Sequence, residues 1–257
     1  MYNKFAVSLP IYWLTVEGAQ NRHQHMLKQF AEYNVNYHAL VTAYPTHNIR
    51  KLVPNAQYLD NTADRDISII LSHLNLIKKF YYETTSDMML IFEDDVDFSL
   101  TNYWQFNLQD VINRLPHNWN IIQLCLIRDE DLTDVRFRKM RHSDWGLSAY
   151  MVSRKYAKIL VDQYCRNEVY NIDIVTSHFR LLPCVEAVLF CLDFSNIYTF
   201  PIFMENLNIP STYFKDGSIL QPNKTLNAKS GQEILHWWRS YGLTKNLDYF
   251  FSDFINK

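Results

Sequence analysis

Short apolar runs alternate with amphipathic stretches along this chain, and this alternation restricts the fold more than any other feature of the sequence. Apolar runs of strand length occupy residues 5–9, 37–43, 88–92, 120–127, 147–153 and 198–203. Helical periodicity is found at residues 20–33, 67–80, 102–115, 154–165, 232–241 and 247–255. Strands that alternate with helices predict an α/β fold in three layers, with a mostly parallel central sheet.

The chain is expected to form a single domain. Its 257 residues contain no repeat, low-complexity tract or linker that would divide them. Residues 206–231 are rich in Asn, Pro, Ser and Lys and are interpreted as a long loop. We therefore expect one domain over residues 1–257, in which residues 205–257 form a loop and a helical extension.

Glycine content and charge exclude several functional classes. The five glycines are scattered, so neither G-x-G-x-x-G nor a Walker loop can be formed, and Rossmann dehydrogenases, kinases and P-loop ATPases are excluded. A formal charge of −2 argues against nucleic-acid binding. No apolar run reaches the ~18 residues of a transmembrane segment. The first residues also lack a signal-peptide pattern, so the expected location is cytoplasmic.

The apolar run at residues 88–92 ends abruptly in carboxylates, namely Glu93, Asp94, Asp95 and, after Val96, Asp97. Open α/β sheets bind ligands at the carboxyl ends of their strands. Side chains alternate along an extended chain, so Glu93, Asp95 and Asp97 are predicted to share one face and Asp94 to point the other way. Such oxygen ligands suit Mn²⁺ or Mg²⁺. The alternative is a solvated turn in which Asp97 or Ser99 caps a following helix.

Several segments resemble glycosyltransferase family 25 when they are taken together and in order. Residues 65–73 (R-D-I-S-I-I-L-S-H) are similar to its L-S-H helix, and residues 90–96 (L-I-F-E-D-D-V) to its I-L-E-D-D-V strand. Residues 119–124 (W-N-I-I-Q-L) and 145–157, which begin W-G-L-S-A-Y, resemble its next segments, as does Asn21-Arg22 with Met26 near the start. The resemblance extends over residues 5–203.

This resemblance implies a GT-A-type, Rossmann-like fold that uses a nucleotide sugar and Mn²⁺ or Mg²⁺. By analogy, Asp95 binds the metal, and Glu93 and Asp94 lie beside the cation and the donor. Ser72 and His73 are expected to approach the donor, or else only to pack their helix. The expected donor is a UDP-sugar that carries galactose or glucose, and the expected acceptor is a glycan or glycoprotein hydroxyl.

Four further residues are expected at the site. Arg65 opens the matched helix segment and is expected on the donor side, whereas Asp97 lies beyond the shared motif and is a metal candidate by strand alternation alone. Glu186, a lone carboxylate in an apolar run, is the first candidate for the general base of an inverting transfer, because burial favours proton uptake. It could instead be a structural partner of Arg180. Asp144 is the second candidate.

One segment departs from the family pattern. Residues 210–213 (P-S-T-Y) stand where relatives often carry a D-S-x-I-H-like element, and they lack its histidine. Acceptor binding and one metal contact can therefore differ from those of the family. The leading hypothesis is a metal-dependent glycosyltransferase. The alternatives are a catalytically inactive binding module and a metal-dependent phosphotransferase or nuclease with similar carboxylates.

Overall fold

The computed structural model describes residues 3–54, 59, 62–166, 168–172, 184–206, 208–209 and 221–255. The strands are β1 Ile11–Thr15, β2 Ala39–Thr42, β3 Met88–Glu93, β4 Val96–Asp97, β5 Ile121–Cys125, β6 Arg138–Lys139, β7 Ala149–Ser153, β8 Cys165–Arg166, β9 Val169–Tyr170 and β10 Ile197–Glu205. The helices are α1 Gln20–Glu32, α2 Asp64–Glu83, α3 Leu108–Ile112, α4 Arg154–Tyr164, α5 Val185–Phe190, α6 Gln221–Tyr241, α7 Leu247–Phe250 and α8 Ser252–Ile255.

The central sheet has the strand order β2-β1-β3-β7-β5-β10-β4, and β6 pairs with β10 beside β4. Strands β1, β2, β3, β5 and β10 run in one direction, whereas β7 lies between β3 and β5 and is antiparallel to both. The short strands β4 and β6 are also antiparallel to β10. The prediction of a mostly parallel central sheet is confirmed.

Each face of the sheet carries its own hydrophobic core. Residues of β3 alternate between the two: Leu90 and Phe92 pack on the face covered by α1, α3 and the C-terminal helices, and Met89 and Ile91 pack on the face covered by α2, α4 and α5. Side chains that alternate across a strand buried on both faces make the whole run apolar. This alternation produces the three layers.

The first strand differs from the prediction. It spans Ile11–Thr15 and follows Pro10, whereas residues 5–9 are not a strand. Proline is tolerated just before or at the first residue of a strand because its missing N–H is not needed there. The Pro10 carbonyl accepts a hydrogen bond from Leu90 N at 3.0 Å, so pairing with β3 starts at this proline.

Helix boundaries differ in three places. α6 begins at Gln221, within the predicted loop. Its buried residues follow a helical period, with Ser230, Ile234, Trp237 and Trp238 on the core side, although its first half is polar. The segment predicted as one helix over 102–115 is a 3₁₀ turn at Ser99–Tyr103 followed by α3. α2 spans Asp64–Glu83, with Ala63 at its N-cap, whereas the helical periodicity in the sequence covers only residues 67–80.

In the part of the chain that the structure describes, no helix has both the length and the apolar character needed to cross a bilayer.

Candidate active site

Three parallel strands end at one edge of the sheet, and polar side chains lie at their ends. β1 ends at Thr15, β3 at Glu93 and β10 at Glu205. Asp94 and Asp95 follow β3 in a tight turn. Two cavities open at this edge, as expected for an open α/β sheet.

Arg22 of α1 binds the acidic turn. Its Nη1 donates to Oδ1 of Asp94 and lies 3.1 Å from Oδ2 of Asp95, and the side chains of Arg22 and Asp94 are only 8% and 5% exposed. Thr15 Oγ1 donates to the other Asp94 oxygen at 2.6 Å. The turn brings both aspartates to one guanidinium. The prediction that Asp94 and Asp95 point to opposite faces is therefore wrong, because the extended chain ends at Glu93.

Asp95 is only partly satisfied. Its Oδ1 is buried and has no hydrogen-bond partner among the described residues. Burial, followed by repulsion from Glu205 and Glu93, raises the pKa of Asp95 well above its usual value, although Arg22 opposes this effect. The free oxygen and the raised pKa both indicate a carboxylate that lacks a further positive partner.

His73 links α2 to the end of β3. Its Nε2 is 3.0 Å from Oε1 of Glu93, and its Nδ1 is 2.8 Å from the Tyr150 hydroxyl. Nε2–H donates to the carboxylate; Nδ1 accepts from the tyrosine when the ring is neutral and donates to it when the ring is protonated. Burial alone would raise the pKa of Glu93, but the His73 hydrogen bond and charge, together with Arg22, lower it. Glu93 is therefore held in its ionised form.

Glu205 is a site residue that the sequence analysis did not identify. Ser148 Oγ donates to its Oε1 at 2.7 Å, and Asn227 Nδ2 donates to its Oε2 at 2.7 Å. Burial and the charge of Glu93 raise the pKa of Glu205, against the effect of both hydrogen bonds. Glu205 terminates an apolar strand, just as Glu93 does, and the same strand-end rule could have found it.

The first cavity has a volume of about 180 Å³ and lies beside α1 and α2. Its walls include apolar groups of Val16, Ala43 and Ile69 and polar groups of Arg22 and Asp95. The walls of this cavity therefore combine apolar and charged groups.

The second cavity has a volume of about 250 Å³ and contains Asp66, Ser148, Glu186 and Glu205. Glu93 and Ile69 line both cavities. The Glu93 carboxylate thus lines both the first cavity, whose walls are apolar and charged, and the second cavity, whose walls are acidic.

The two general-base candidates differ in their surroundings. Glu186 lies in the first turn of α5, lines the second cavity, and accepts a hydrogen bond from Gly146 N at 3.3 Å. Asp144 is fully buried, and its two oxygens accept from Arg138 at 2.6 and 2.9 Å. Arg180, the alternative partner of Glu186, lies outside the described residues, as do residues 210–213.

The remaining predicted residues divide between the cavities and the scaffold. Ser72 lines the first cavity, where its Oγ accepts from Tyr44 N at 2.9 Å. Arg65 pairs with Asp66 at 3.2 Å, and Asp66 lines the second cavity. Asp97 accepts from Ser99 N at 2.7 Å, but the 3₁₀ turn that begins at Ser99 has Phe98 at its N-cap and no side-chain cap, so the alternative in which Asp97 or Ser99 caps a helix is wrong.

The donor set fits a divalent cation only in part. Within the described ranges, no three His, Cys, Asp or Glu side chains converge to form a metal cage. Mg²⁺-type ions, however, often bind through one or two carboxylates and complete their shell with substrate phosphates and water. The unpartnered oxygen of Asp95 and the ionised Glu93 fit that second arrangement.

The sequence itself places the chain in a family. Residues 8–176, which are more than half of the 257, match the sequence model of glycosyltransferase family 25 (LPS biosynthesis protein). The chain belongs to glycosyltransferase family 25, and its three-layer sandwich with a mostly parallel sheet is the α/β architecture predicted from the sequence. Among curated proteins, none matches the sequence significantly.

Solved structures show distant likeness. The glycosyltransferase GlyE of Streptococcus pneumoniae TIGR4 is 10% identical, with a TM-score of 0.43, over 92% of this chain and 64% of its own. This chain thus spans less than two thirds of GlyE. The galactosyltransferase LgtC, solved with donor and acceptor sugar analogs, is 12% identical, with a TM-score of 0.39, over 86% of this chain and 84% of its own. A197 from STIV is 8% identical, with a TM-score of 0.41, over 77% of this chain and 84% of its own.

Proposed function

We propose that this glycosyltransferase moves a hexose, galactose or glucose, from a UDP-sugar to a hydroxyl of a glycan or glycoprotein. The observation that carries the proposal is the pair of cavities that share Glu93. A donor in the first cavity and an acceptor in the second would meet at that carboxylate. Transfer requires this adjacency, because the two reacting atoms must approach to about 3–3.5 Å.

The first cavity offers the groups that a nucleotide sugar needs. Val16, Ala43 and Ile69 provide apolar contact for a base, while Arg22 provides positive charge for phosphate oxygens. Asp95 and Glu93 would hold a divalent cation, Mn²⁺ or Mg²⁺, which when bound neutralises the charge that develops on the leaving diphosphate. His73 keeps Glu93 ionised for that role.

In the proposed step, an acceptor hydroxyl attacks the anomeric carbon from the side of the second cavity. The new C–O bond forms as the bond from that carbon to the phosphate oxygen breaks, and UDP leaves with the bonding electrons. The hydroxyl proton passes to Glu186, which lines this cavity. Attack opposite the leaving group inverts the anomeric centre. Asp144 is less suited, because Arg138 holds both of its oxygens.

A second candidate, a binding module without turnover, is favoured by the Arg22 ion pair. The guanidinium already compensates Asp94 and Asp95, the carboxylates that a cation would otherwise neutralise. Such a protein would bind UDP without releasing it from a UDP-sugar.

The test measures UDP release from UDP-galactose, UDP-glucose and other nucleotide sugars, with and without Mn²⁺, alongside calorimetric titration with UDP. We expect Mn²⁺-stimulated UDP release in the presence of hexose acceptors, and its loss in Glu186→Gln with UDP affinity retained. UDP binding without release from any donor would support the binding module. Neither binding nor release would refute both candidates.

A further inference from the structure

The C-terminal helix α6 makes a direct contact with the carboxylate edge of the sheet. Asn227 Nδ2 donates to Oε2 of Glu205 at 2.7 Å. Ser148, in the loop before β7, donates to Oε1 of the same carboxylate at 2.7 Å. Glu205 therefore has each of its oxygens fixed by a different element of the fold.

The middle of α6, which contains Asn227, is held to the body of the protein by additional bonds. Ser230 Oγ accepts from Arg128 N and donates to Arg128 O, both at 3.0 Å. Glu233 accepts from Leu132 N at 2.9 Å. Asn227, Ser230 and Glu233 are spaced three apart, so they lie on one side of the helix. The position of Asn227 is thus fixed by its helix as well as by its own bond.

The local charges argue against a purely structural role for Glu205. Its two donors are a hydroxyl and an amide, neither of which offsets a negative charge. Its charged neighbours in the second cavity, Glu93 and Glu186, are carboxylates that repel it. A carboxylate kept among like charges lowers the stability of the fold, whereas a structural one is normally paired with a cation.

We propose that Glu205 binds an acceptor hydroxyl in the second cavity, and that Asn227 of α6 is the positioning residue that aims its carboxylate. Two fixed oxygens present their remaining lone pairs to the cavity, where a sugar hydroxyl can donate to them. Because Glu93, Glu186 and Glu205 all line this cavity, it favours a neutral, hydroxyl-rich acceptor over an anionic one. This inference rests on the proposed function, in which the second cavity receives the acceptor.

The test uses the full chain with four substitutions: Glu205→Gln, Asn227→Ala, Asn227→Gln and, as a matched control, Gln232→Ala. Gln232 is an amide at an exposed position of the same helix. Each protein is assayed for UDP affinity by calorimetry, for thermal midpoint, and for KM and kcat with methyl galactoside as the acceptor probe. The double variant Glu205→Gln/Asn227→Ala completes a mutant cycle.

We expect Glu205→Gln to raise the thermal midpoint while lowering kcat/KM for the acceptor by about tenfold to hundredfold, as for loss of a hydrogen bond to a charged group. Asn227→Ala should raise the acceptor KM with UDP affinity unchanged, and Asn227→Gln, which keeps the amide, should restore part of the loss. The double variant should be no worse than Glu205→Gln alone, because Asn227 acts through Glu205.

Several results would overturn the inference. A lower thermal midpoint for Glu205→Gln with unchanged acceptor KM would show a structural role only. Asn227→Ala that behaves like Gln232→Ala, or losses that add in the double variant, would remove the positioning role. If the wild-type protein transfers sugar to methyl galactoside but the variants give these results, the proposed function stands and only the roles of Glu205 and Asn227 are refuted. If the wild-type protein releases no UDP from any donor, both the proposed function and these roles are refuted.

Discussion

Nη1 of Arg22 bonds Oδ1 of Asp94 and lies 3.1 Å from Oδ2 of Asp95, so one guanidinium serves two consecutive carboxylates. Burial would lower the pKa of Arg22, but the two aspartates raise it, so the arginine stays charged. The acidic turn after β3 keeps its shape because this cation is buried with it.

Replacement of Arg22 by Met is expected to destabilise the fold by about 3–5 kcal/mol, since it leaves buried carboxylates uncompensated. Urea unfolding measures the change. The matched control is Arg114→Met, which breaks an ion pair with Asp248 whose side chains are 42% and 59% exposed. That surface pair should contribute at most about 1 kcal/mol. Equal losses in the two variants would contradict the assigned importance of the buried pair.

Replacement of Asp95 by Asn is expected to leave the fold intact or slightly more stable, because it removes a charge that Glu205 and Glu93 repel. UDP release should fall by about 10²–10³-fold, the size typical of losing one electrostatic contact to a transition state. Calorimetry should show that Mn²⁺ no longer strengthens UDP binding. Full turnover in Asp95→Asn would refute the metal-binding role of this residue.

Asp193, which is not one of the site residues, is expected to make the free energy of unfolding depend on pH. Its side chain accepts hydrogen bonds from Ser195 at 2.7 Å, Asn120 at 2.8 Å and Asn196 at 2.9 Å. Burial would raise the pKa of Asp193, but these bonds lower it. The resulting stabilisation is present above the unfolded pKa, which is about 3.9, and is lost as the pH falls through the lower folded pKa.

Asp193→Asn is therefore expected to lose about 1.5–3 kcal/mol of unfolding free energy at pH 7, the size of a hydrogen bond to a charged group. The difference from wild type should shrink as the pH falls below about 4. Urea titrations between pH 7 and pH 3 measure it. A difference that is constant across this range would rule out the ionised carboxylate as its source.

Gly242, which directly follows α6, lies too close to its neighbours to carry a side chain without a clash. A Cβ atom at this position would lie 2.5 Å from Cε3 of Trp238 and 2.9 Å from the Tyr103 carbonyl oxygen. Trp238 is fully buried and donates from Nε1 to Pro201 O at 2.9 Å, so its ring has little freedom to move. Gly242→Ala should therefore lose about 1–3 kcal/mol, the usual cost of overpacking.

Gly18→Ala is the comparison for Gly242→Ala, since nothing lies within 4 Å of its added Cβ and only its φ of +82° opposes a side chain. Thermal unfolding of both variants separates a clash from backbone strain. A midpoint for Gly242→Ala equal to that of wild type would show that the Trp238 ring can move.

The sequence predicted those parts of the fold that depend on local pattern. The apolar run of β3 and its carboxylate end are local, so Glu93 and its sheet edge could be identified in advance. The family resemblance, in contrast, singled out Ser72 and His73, and both line the first cavity. In contrast, the first strand was misplaced because Pro10 can precede a strand as well as end one.

Contacts between distant segments could not be predicted in the same way. Arg22 meets Asp94 across 72 positions of sequence, and Asn227 meets Glu205 between two segments of which one was interpreted as a loop. No periodicity encodes such pairs. The polar first half of α6 hid its helical period, because among residues 225–241, whose side chains the structure describes, the buried ones begin at Ser230. Glu205 ends an apolar strand as Glu93 does, so the rule that ligands bind at strand ends applies to it as well.

The position of β10 has a consequence for how the protein forms during synthesis. This strand, Ile197–Glu205, lies inside the sheet, parallel to β5 and antiparallel to β4, although both partners precede it by many residues. A ribosome must therefore release most of the chain before β5 gains its second neighbour. Until then the growing polypeptide carries an open apolar strand edge, which is prone to association with other chains. Slow elongation or chaperone binding over this interval should decide how much correctly assembled protein a cell obtains.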